Sequence, residues 1–359
     1  MPVSESRDLE VVRARIEGWI RPRWAARVEG ATGVTLDALV APEGAGFSNE
    51  TLLGSIHFEV GGAARAQGIV VRLRPDYPVF PTYDLGRQFT IMRCLRDSGV
   101  RVPEMYFYEE DETVVGSPFH VGERVAGRVP GDAPTYHAAG WLAAEPPQRQ
   151  CRVWEEGVDT LAAVAALDWR SAGLGFLDPG EDVDPLAHAL DEYESFLAWA
   201  ADGREYPVQR AALAWLRAHA PATGDRVLSW GDARIGNIIY DEHCRAAAVI
   251  DWEMCAVGGP EWDLAWTLFV DWHHSDGYGI ERLPALPGRA ETVARWEDRT
   301  GRTACDLDYF ETFAALRFAV IYVRLDWLVK RAGLVEPDGA DLGATNPCVA
   351  WLQDHLEAT

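Results

Sequence analysis

The sequence predicts an α+β chain built as two lobes, a small β-rich one and a larger helical one. Strand-like runs flanked by turn-forming residues concentrate between residues 44 and 125. Helical apolar periodicity dominates from about residue 126 to the end. A stretch rich in Pro, Ala and Gly at 128–150 lies where the character changes and reads as a surface excursion. The division expected is therefore 1–125 and 126–359.

Along the first lobe, residues 6–20 place Leu9, Val12, Ile16 and Ile20 on one helical face, with Pro22 following that helix. Gly44, Gly46, Ser48 and Asn49 form a small-residue turn ahead of strands at 52–60 and 68–73, joined through Gly61-Gly62. A helix is expected at 83–97, with Leu85, Phe89, Met92 and Leu95 in register and Gly99 just past its end. Strand-like runs follow at 104–108, 113–115 and 119–125. In the second lobe helices are expected at 152–168, 186–201, 207–220, 260–270, 289–299 and 306–332. The last carries the core stripe Tyr309, Phe313, Leu316, Val320, Val323 and Trp327.

Composition narrows the function. The net charge of −23 opposes nucleic-acid binding, which runs on neutralising phosphates with Lys and Arg. No run approaches the roughly 18 apolar residues needed to span a bilayer. The acidic start, with Glu5, Asp8 and Glu10, does not read as a signal peptide, so a cytoplasmic location is expected. The cysteines at 94, 151, 244, 255, 305 and 348 include no CxxC pair, which speaks against a disulfide framework or a zinc site. Lys330 is the only lysine, so any task needing a lysine elsewhere falls to arginine. The sequence has no G-x4-G-K-[ST] loop, no G-x-S-x-G elbow and no strand-linked G-x-G-x-x-G. The oligomeric state is left open.

The chemistry concentrates in Trp230-Gly-Asp-Ala-Arg-Ile-Gly-Asn-Ile-Ile-Tyr-Asp241 and Ala247-Ala-Val-Ile-Asp-Trp-Glu253. Two apolar runs, 238–240 and 246–250, flank a turn and predict a β-hairpin. Asp232 and Asn237 precede its first strand and Asp251 follows its second, so the hairpin can bring all three together. Phosphoryl transfer needs such a set: one carboxylate to orient and deprotonate the attacking hydroxyl, and hard oxygen ligands to hold Mg²⁺ on nucleotide phosphates. Asp232, Asn237 and Asp251 fit the D-x4-N spacing and the later metal-binding Asp of kinase catalytic loops. Arg234 can offset charge on the transferring group.

These segments resemble the H-G-D-x4-N and hydrophobic-D-W-E motifs of the aminoglycoside phosphotransferase/choline kinase-like family, nearest the branch of kinase domains found beside acyl-CoA dehydrogenases. Gly258-Gly-Pro-Glu-Trp-Asp-Leu-Ala-Trp266 resembles that family's next block, G-D-P-x-x-D-L-A-W, and the resemblance runs over roughly residues 35–332. It implies a protein-kinase-like fold and transfer of the ATP γ-phosphate, with Mg²⁺, to a hydroxyl of a small molecule. The acceptor could be aminoglycoside-like, a hydroxyacyl compound or another metabolite. The alternative is a nucleotide-binding pseudokinase with a regulatory role. The resemblance further implies that Asp232 is the catalytic Asp and that Asn237 and Asp251 are metal ligands. Arg72 would hold the nucleotide phosphates, with Ser48 and Asn49 near them. The backbone from Glu123 to Val125 would meet the adenine.

The chain departs from the family in four places. Trp230 stands for the usual His, whose bracing of the loop an indole N–H can take over. Arg72 stands for the usual Lys, Gln88 for the Glu that pairs with it, and Gly259 for the Asp of the G-D-P block. Gln88 is expected to accept a hydrogen bond from Arg72 without supplying charge. Asp263 is expected to brace the catalytic loop, and Glu253 to contact the metal through water or serve structurally. Residues 271–287 are expected to form a loop near the acceptor, with Trp272, His273, His274 and Tyr278 as candidate contacts.

Overall fold

The structure is a computed structural model that describes residues 7–42, 50–222 and 224–358. The chain divides into two compact units, one comprising residues up to Arg93 with Pro103–Val125, the other Cys94–Val102 with the chain from Ala126 onward. The small-residue turn, with Gly44, Gly46, Ser48 and Asn49, lies outside the described residues.

The first unit runs α1 (Leu9–Arg27), β1 (Ala31–Leu36), β2 (Glu50–Val60), β3 (Ala63–Leu73), α2 (Leu85–Leu95), β4 (Met105–Glu109) and β5 (Phe119–Glu123). Its strands form one antiparallel five-stranded sheet in the order β1-β2-β3-β5-β4. The β2–β3 hairpin turns on Gly61 and Gly62, at φ of 58° and 79°. Both sit in the region a two-residue hairpin turn demands and glycine adopts without penalty. Alternation then sorts the faces of β3: Ile69, Val71 and Leu73 are buried, and Arg72 points the other way.

Helix α1 starts at Asp8, whose side chain accepts from the Glu10 and Val11 amides. It does not stop before Pro22, as the sequence suggested, but carries that residue inside. The buried stripe Val12, Ile16, Trp19, Ile20 and Trp24 continues past the proline and packs on the sheet, and its burial outweighs the lost helical hydrogen bond. Trp19 meets Phe119 edge-on at 4.8 Å and Trp24 meets Tyr106 at 5.2 Å. The run expected as a strand at 113–115 is a turn, because Asp111 captures the Thr113 amide and the Glu112 carbonyl that of Gly116.

The second unit contains α3 (Trp141–Ala144), α4 (Pro147–Ala165), α5 (Pro185–Ala201) and α6 (Pro207–Ala218). Four short strands follow: β6 (Val227–Ser229), β7 (Ile238–Tyr240), β8 (Ala246–Val249) and β9 (Ala256–Gly258). The unit ends with α7 (Glu261–His274), α8 (Arg289–Thr300), α9 (Leu307–Arg331) and α10 (Pro347–Ala358). β7 and β8 form the expected hairpin, and β6 pairs with β9. The Arg101 carbonyl accepts from Val249 N and its guanidinium donates to Ala246 O, which fixes the 94–102 stretch on that hairpin. The 128–150 stretch is not a plain surface excursion: Tyr136, His137 and Leu142 are buried in it, and α3 and α4 begin there. No helix among the described residues is long and apolar enough to cross a membrane.

Phe119 is fully buried against Trp19, so Phe119→Ala should lower unfolding stability by about 3–5 kcal/mol through the cavity it leaves. Urea denaturation measures this. A loss under about 1 kcal/mol would mean the sheet does not close on α1 as described.

Candidate active site

The D-x4-N segment lies in the second unit and is held in place by its neighbours. Asp263, in the first turn of α7, is buried and accepts three hydrogen bonds. They come from Ser229 Oγ at 2.7 Å, Trp230 N at 2.6 Å and Gly231 N at 3.0 Å. Burial pushes its carboxyl up, against the pull of these donors and of Arg317. The expected bracing role of Asp263 is what the geometry delivers. Trp230 braces as well: its indole Nε1 donates to the carbonyls of Ile250 and Asp251, both at 3.0 Å. Gly231 adopts φ 95°, and a Cβ there would collide with the Met254 carbonyl, so only glycine lets the two loops approach.

Asp232 follows, held by donors from three sides. Trp266 Nε1 donates to Oδ1 at 2.8 Å, Asn237 Nδ2 to Oδ2 at 2.6 Å, and Arg234 Nε to both oxygens at 3.2 and 3.1 Å. Burial would raise its pKa, but Arg234 and these hydrogen bonds outweigh it and hold the carboxyl below the ordinary Asp value. Asp232 is therefore an ionised carboxylate at neutral pH. Arg234 also donates to Asp132 Oδ1 at 2.6 Å, so its guanidinium bridges two carboxylates and its pKa is raised despite burial.

Asn237 is buried, and its Nδ2 donates to both the backbone and the side chain of Asp232. That fixes the amide with its carbonyl oxygen turned away from Asp232. The Asn237 backbone carbonyl accepts from Ile250 N at 3.0 Å, which brings the chain entering Asp251 alongside it. Asp251 holds φ 63°, a left-handed backbone uncommon for a residue other than glycine. An amide oxygen and a carboxylate are hard donors that suit Mg²⁺, an ion that binds through one or two protein ligands plus phosphate oxygens. No group of three or more His, Cys, Asp or Glu among the described residues could hold a metal on its own.

In the first unit, Arg72 pairs in register with Thr51 and His120 on β3. Arg74, two residues on, is exposed and ion-paired with Glu112 at 2.7 Å. Gln88 is buried on α2, but its Oε1 accepts no hydrogen bond among the described residues, so the expected bond from Arg72 is not made. A neutral amide has no charge with which to hold a guanidinium. At the end of β5 the Glu123 amide is taken by Glu104 O at 2.7 Å and the Arg124 amide by Gly68 O at 3.0 Å. Val125 closes this stretch and is half-buried. Ser48 and Asn49 lie outside the described residues.

The expected loop at 271–287 is corrected in its first part, because α7 continues to His274. Asp271 is buried there and accepts from Tyr136 Oη at 2.9 Å and Arg282 Nε at 2.5 Å, with His137 Nε2 at 3.1 Å. Sequence reasoning missed Asp132, Trp266 as a partner of Asp232, and the Tyr136–His137 anchor. Trp266 had a signal, since it stands three residues after Asp263 on one helix face. Asp132 had none, lying in a stretch with no periodic pattern.

The sequence model of the phosphotransferase enzyme family matches residues 57–317, well over half of the chain. Acyl-CoA dehydrogenase family member 11 of Gallus gallus is 31% identical over 218 residues, which is 57% of this chain and 26% of that protein. The chain spans only about a quarter to a third of the length of such curated relatives. A Ralstonia eutropha protein, provisionally named an aminoglycoside phosphotransferase, shares the fold with TM-score 0.70 at 23% identity, over 96% of this chain and 98% of that one. A thermostable mutant of the aminoglycoside phosphotransferase APH(4)-Ia, in ternary complex with ADP and hygromycin B, is similar with TM-score 0.52 at 16% identity, over 94% and 97%. The protein-kinase-like fold expected from the sequence is thus the fold observed.

Asp263→Ala should orphan two buried amides and a hydroxyl, at about 1–3 kcal/mol for each, while Ser229→Ala should cost about 1 kcal/mol. Thermal unfolding of the two variants checks the ranking. Equal midpoints would show that Asp263 does not brace the loop.

Proposed function

The chain belongs to the phosphotransferase enzyme family, and on that premise we propose that it transfers the γ-phosphate of ATP, with Mg²⁺, to a hydroxyl of a small molecule. The observation that carries the reading is the ionised Asp232 carboxylate, oriented by Trp266, Asn237 and Arg234 at the D-x4-N motif. In this reading Asp232 accepts a hydrogen bond from the attacking hydroxyl, aims its oxygen, and takes its proton as the bond to phosphorus forms. Arg234 keeps the base ionised and lends positive charge beside the transferring group. Asn237 and Asp251 would hold the metal, which supplies charge neutralisation on the phosphate oxygens when bound.

The nucleotide side of the reading rests on the first unit. Arg72 would grip phosphate oxygens with a guanidinium, which can bind two at once where a lysine binds one. With the Glu123 and Arg124 amides already used by the sheet, the nucleobase would be read by the Glu123 carbonyl and the Val125 amide. Ser48 and Asn49 would cover the phosphates. A structural neighbour bound to ADP supports a nucleotide as donor. Magnesium is supported by the oxygen donors of Asn237 and Asp251.

Three measurements test this. Asp232→Asn should lower kcat at least about a hundredfold while ADP affinity stays within about twofold. Retention of a tenth of the rate would remove Asp232 from the role. Asp251→Ala should abolish the Mg²⁺ enhancement of nucleotide binding in calorimetric titration, and Asn237→Ala should reduce it. A full Mg²⁺ effect in both variants would place the metal elsewhere. Arg72→Ala should raise the KM for ATP about tenfold or more, whereas Arg74→Ala, which loses only an exposed pair with Glu112, should not. The reverse ranking would overturn the assignment.

A further inference from the structure

Resting on the reading that this chain phosphorylates a small hydroxyl compound, we propose that α7 and α9 present an acceptor-binding wall. It would take an uncharged compound whose hydroxyl is carried on an apolar or aromatic body, with the His273 imidazole as its polar anchor.

The wall begins at the base itself. Trp266 donates its indole N–H to Asp232 and lies 5.7 Å from Phe318 of α9. Phe318 is stacked on Tyr322 at 5.3 Å and lies 4.4 Å from the His273 ring. Tyr278 meets His273 edge-on at 4.8 Å. Aromatic surface therefore runs without a break from Asp232 to the protein exterior. Trp266 and His273 are buried, Phe318 and Tyr322 are half-buried, and Tyr278 is 52% exposed, so the wall has an open face at its outer half. Rings of this kind hold planar and apolar groups through area and offset stacking.

One polar atom in the wall is left over. His273 Nε2 bonds with the Tyr322 hydroxyl at 2.9 Å, and that hydroxyl with Tyr278 Oη at 2.5 Å. His273 Nδ1 is buried and has no hydrogen-bond partner among the described residues, in a residue only 2% exposed. Such orphaned atoms are rare in native proteins. Burial, His274 and Arg234 push the imidazole down to about 3, so the ring is neutral at physiological pH. Either tautomer leaves Nδ1 able to make one bond, as donor or acceptor, and the Tyr322 hydroxyl can complement both. The anchor therefore suits a hydroxyl or a carbonyl and supplies no charge.

The charges around the wall argue against a polycationic acceptor. Two guanidinium groups flank its inner end: Arg234 bridges Asp132 and Asp232, and Arg317 lies over the Trp266 ring at 4.4 Å while donating to Gly231 O. The carboxylates at that depth are engaged. Asp232 is held by three residues, Asp132 by Arg234, and the buried Asp271 by Tyr136 and Arg282. Asp276 is exposed in the same turn as Tyr278 at the outer end. Asp132 is exposed but already paired with Arg234, so an ammonium group brought inward, where its hydroxyl has to reach Asp232, meets the positive charge of Arg234 and Arg317 beside these engaged carboxylates.

The test uses the full chain, with and without ADP, and three probes: 4-phenylbutan-1-ol, choline and hygromycin B. Binding is read by saturation-transfer NMR and each dissociation constant by titration. Wild type should bind the alcohol more tightly than either cation. Phe318→Ala should weaken the alcohol about tenfold, the scale of one lost aromatic contact, and His273→Leu should weaken it as well. Tyr322→Phe removes only a hydroxyl and keeps the measurement available if the larger changes unfold the chain; it should weaken the alcohol by about threefold. No transfer to the alcohol, tighter binding of choline or hygromycin B, or an alcohol affinity unmoved in the folded variants would overturn the proposal. Loss of ADP binding by wild type would strike the phosphotransferase reading and leave the acceptor result standing.

Discussion

The arrangement of the site depends on one buried carboxylate, that of Asp263, which ties the D-x4-N loop to the first turn of α7. A single helix face then acts as a ruler for the loop. Asp263 takes the Ser229 hydroxyl and the amides of Trp230 and Gly231, Trp266 reaches Asp232, and Thr267 donates to Ala233 O at 2.5 Å. Positions three and four apart on a helix share a face, so residues 263, 266 and 267 can address consecutive loop residues. The carboxylate also sits where the helix dipole favours negative charge, which offsets part of its burial. The loop is thereby held without relying on its own weak local propensity.

From that constraint the electrostatics follow. A buried carboxylate left alone would be driven neutral, and neutral Asp232 could not accept a proton. Arg234 and two hydrogen-bond donors reverse the balance, and Asp132 adds a second carboxylate to the guanidinium that Asp232 already pairs with. Asp132, Arg234, Asp232 and Asn237 form a connected network in which Arg234 and Asp232 are the central pair, so removing Arg234 or Asp232 leaves the other without its main ionic partner at this site. Pre-organisation of this kind is what general-base chemistry needs from a protein, since the groups must not rearrange at the moment of transfer.

Much of this was legible in the sequence because it is local. The D-x4-N spacing, the hairpin at 238–249, the bracing by Trp230 and Asp263 and the two-lobed order of strands and helices are all carried by short segments. What escaped was carried by distance or by competition. Asp132 reaches Arg234 across 102 residues from a stretch with no pattern. Pro22 lies inside α1 because tertiary burial of Trp24 overrides a strong local breaker. Strands β6 and β9, three residues each, are too short to show alternation. Gln88 looked like a partner for Arg72 by position, yet position alone does not supply the charge that would draw the two together.

On the proposed reading, the Asp232 site moves a phosphoryl group from ATP to an alcohol oxygen. The most direct measurement is ³¹P NMR of ATP incubated with the wild-type chain, Mg²⁺ and a mixture of small neutral alcohols and hydroxy acids. A phosphomonoester resonance should grow, matched mole for mole by ADP, and be absent when the alcohols are left out. ATP that stays intact although it is bound, or that yields only inorganic phosphate whatever hydroxyl compound is supplied, would contradict it.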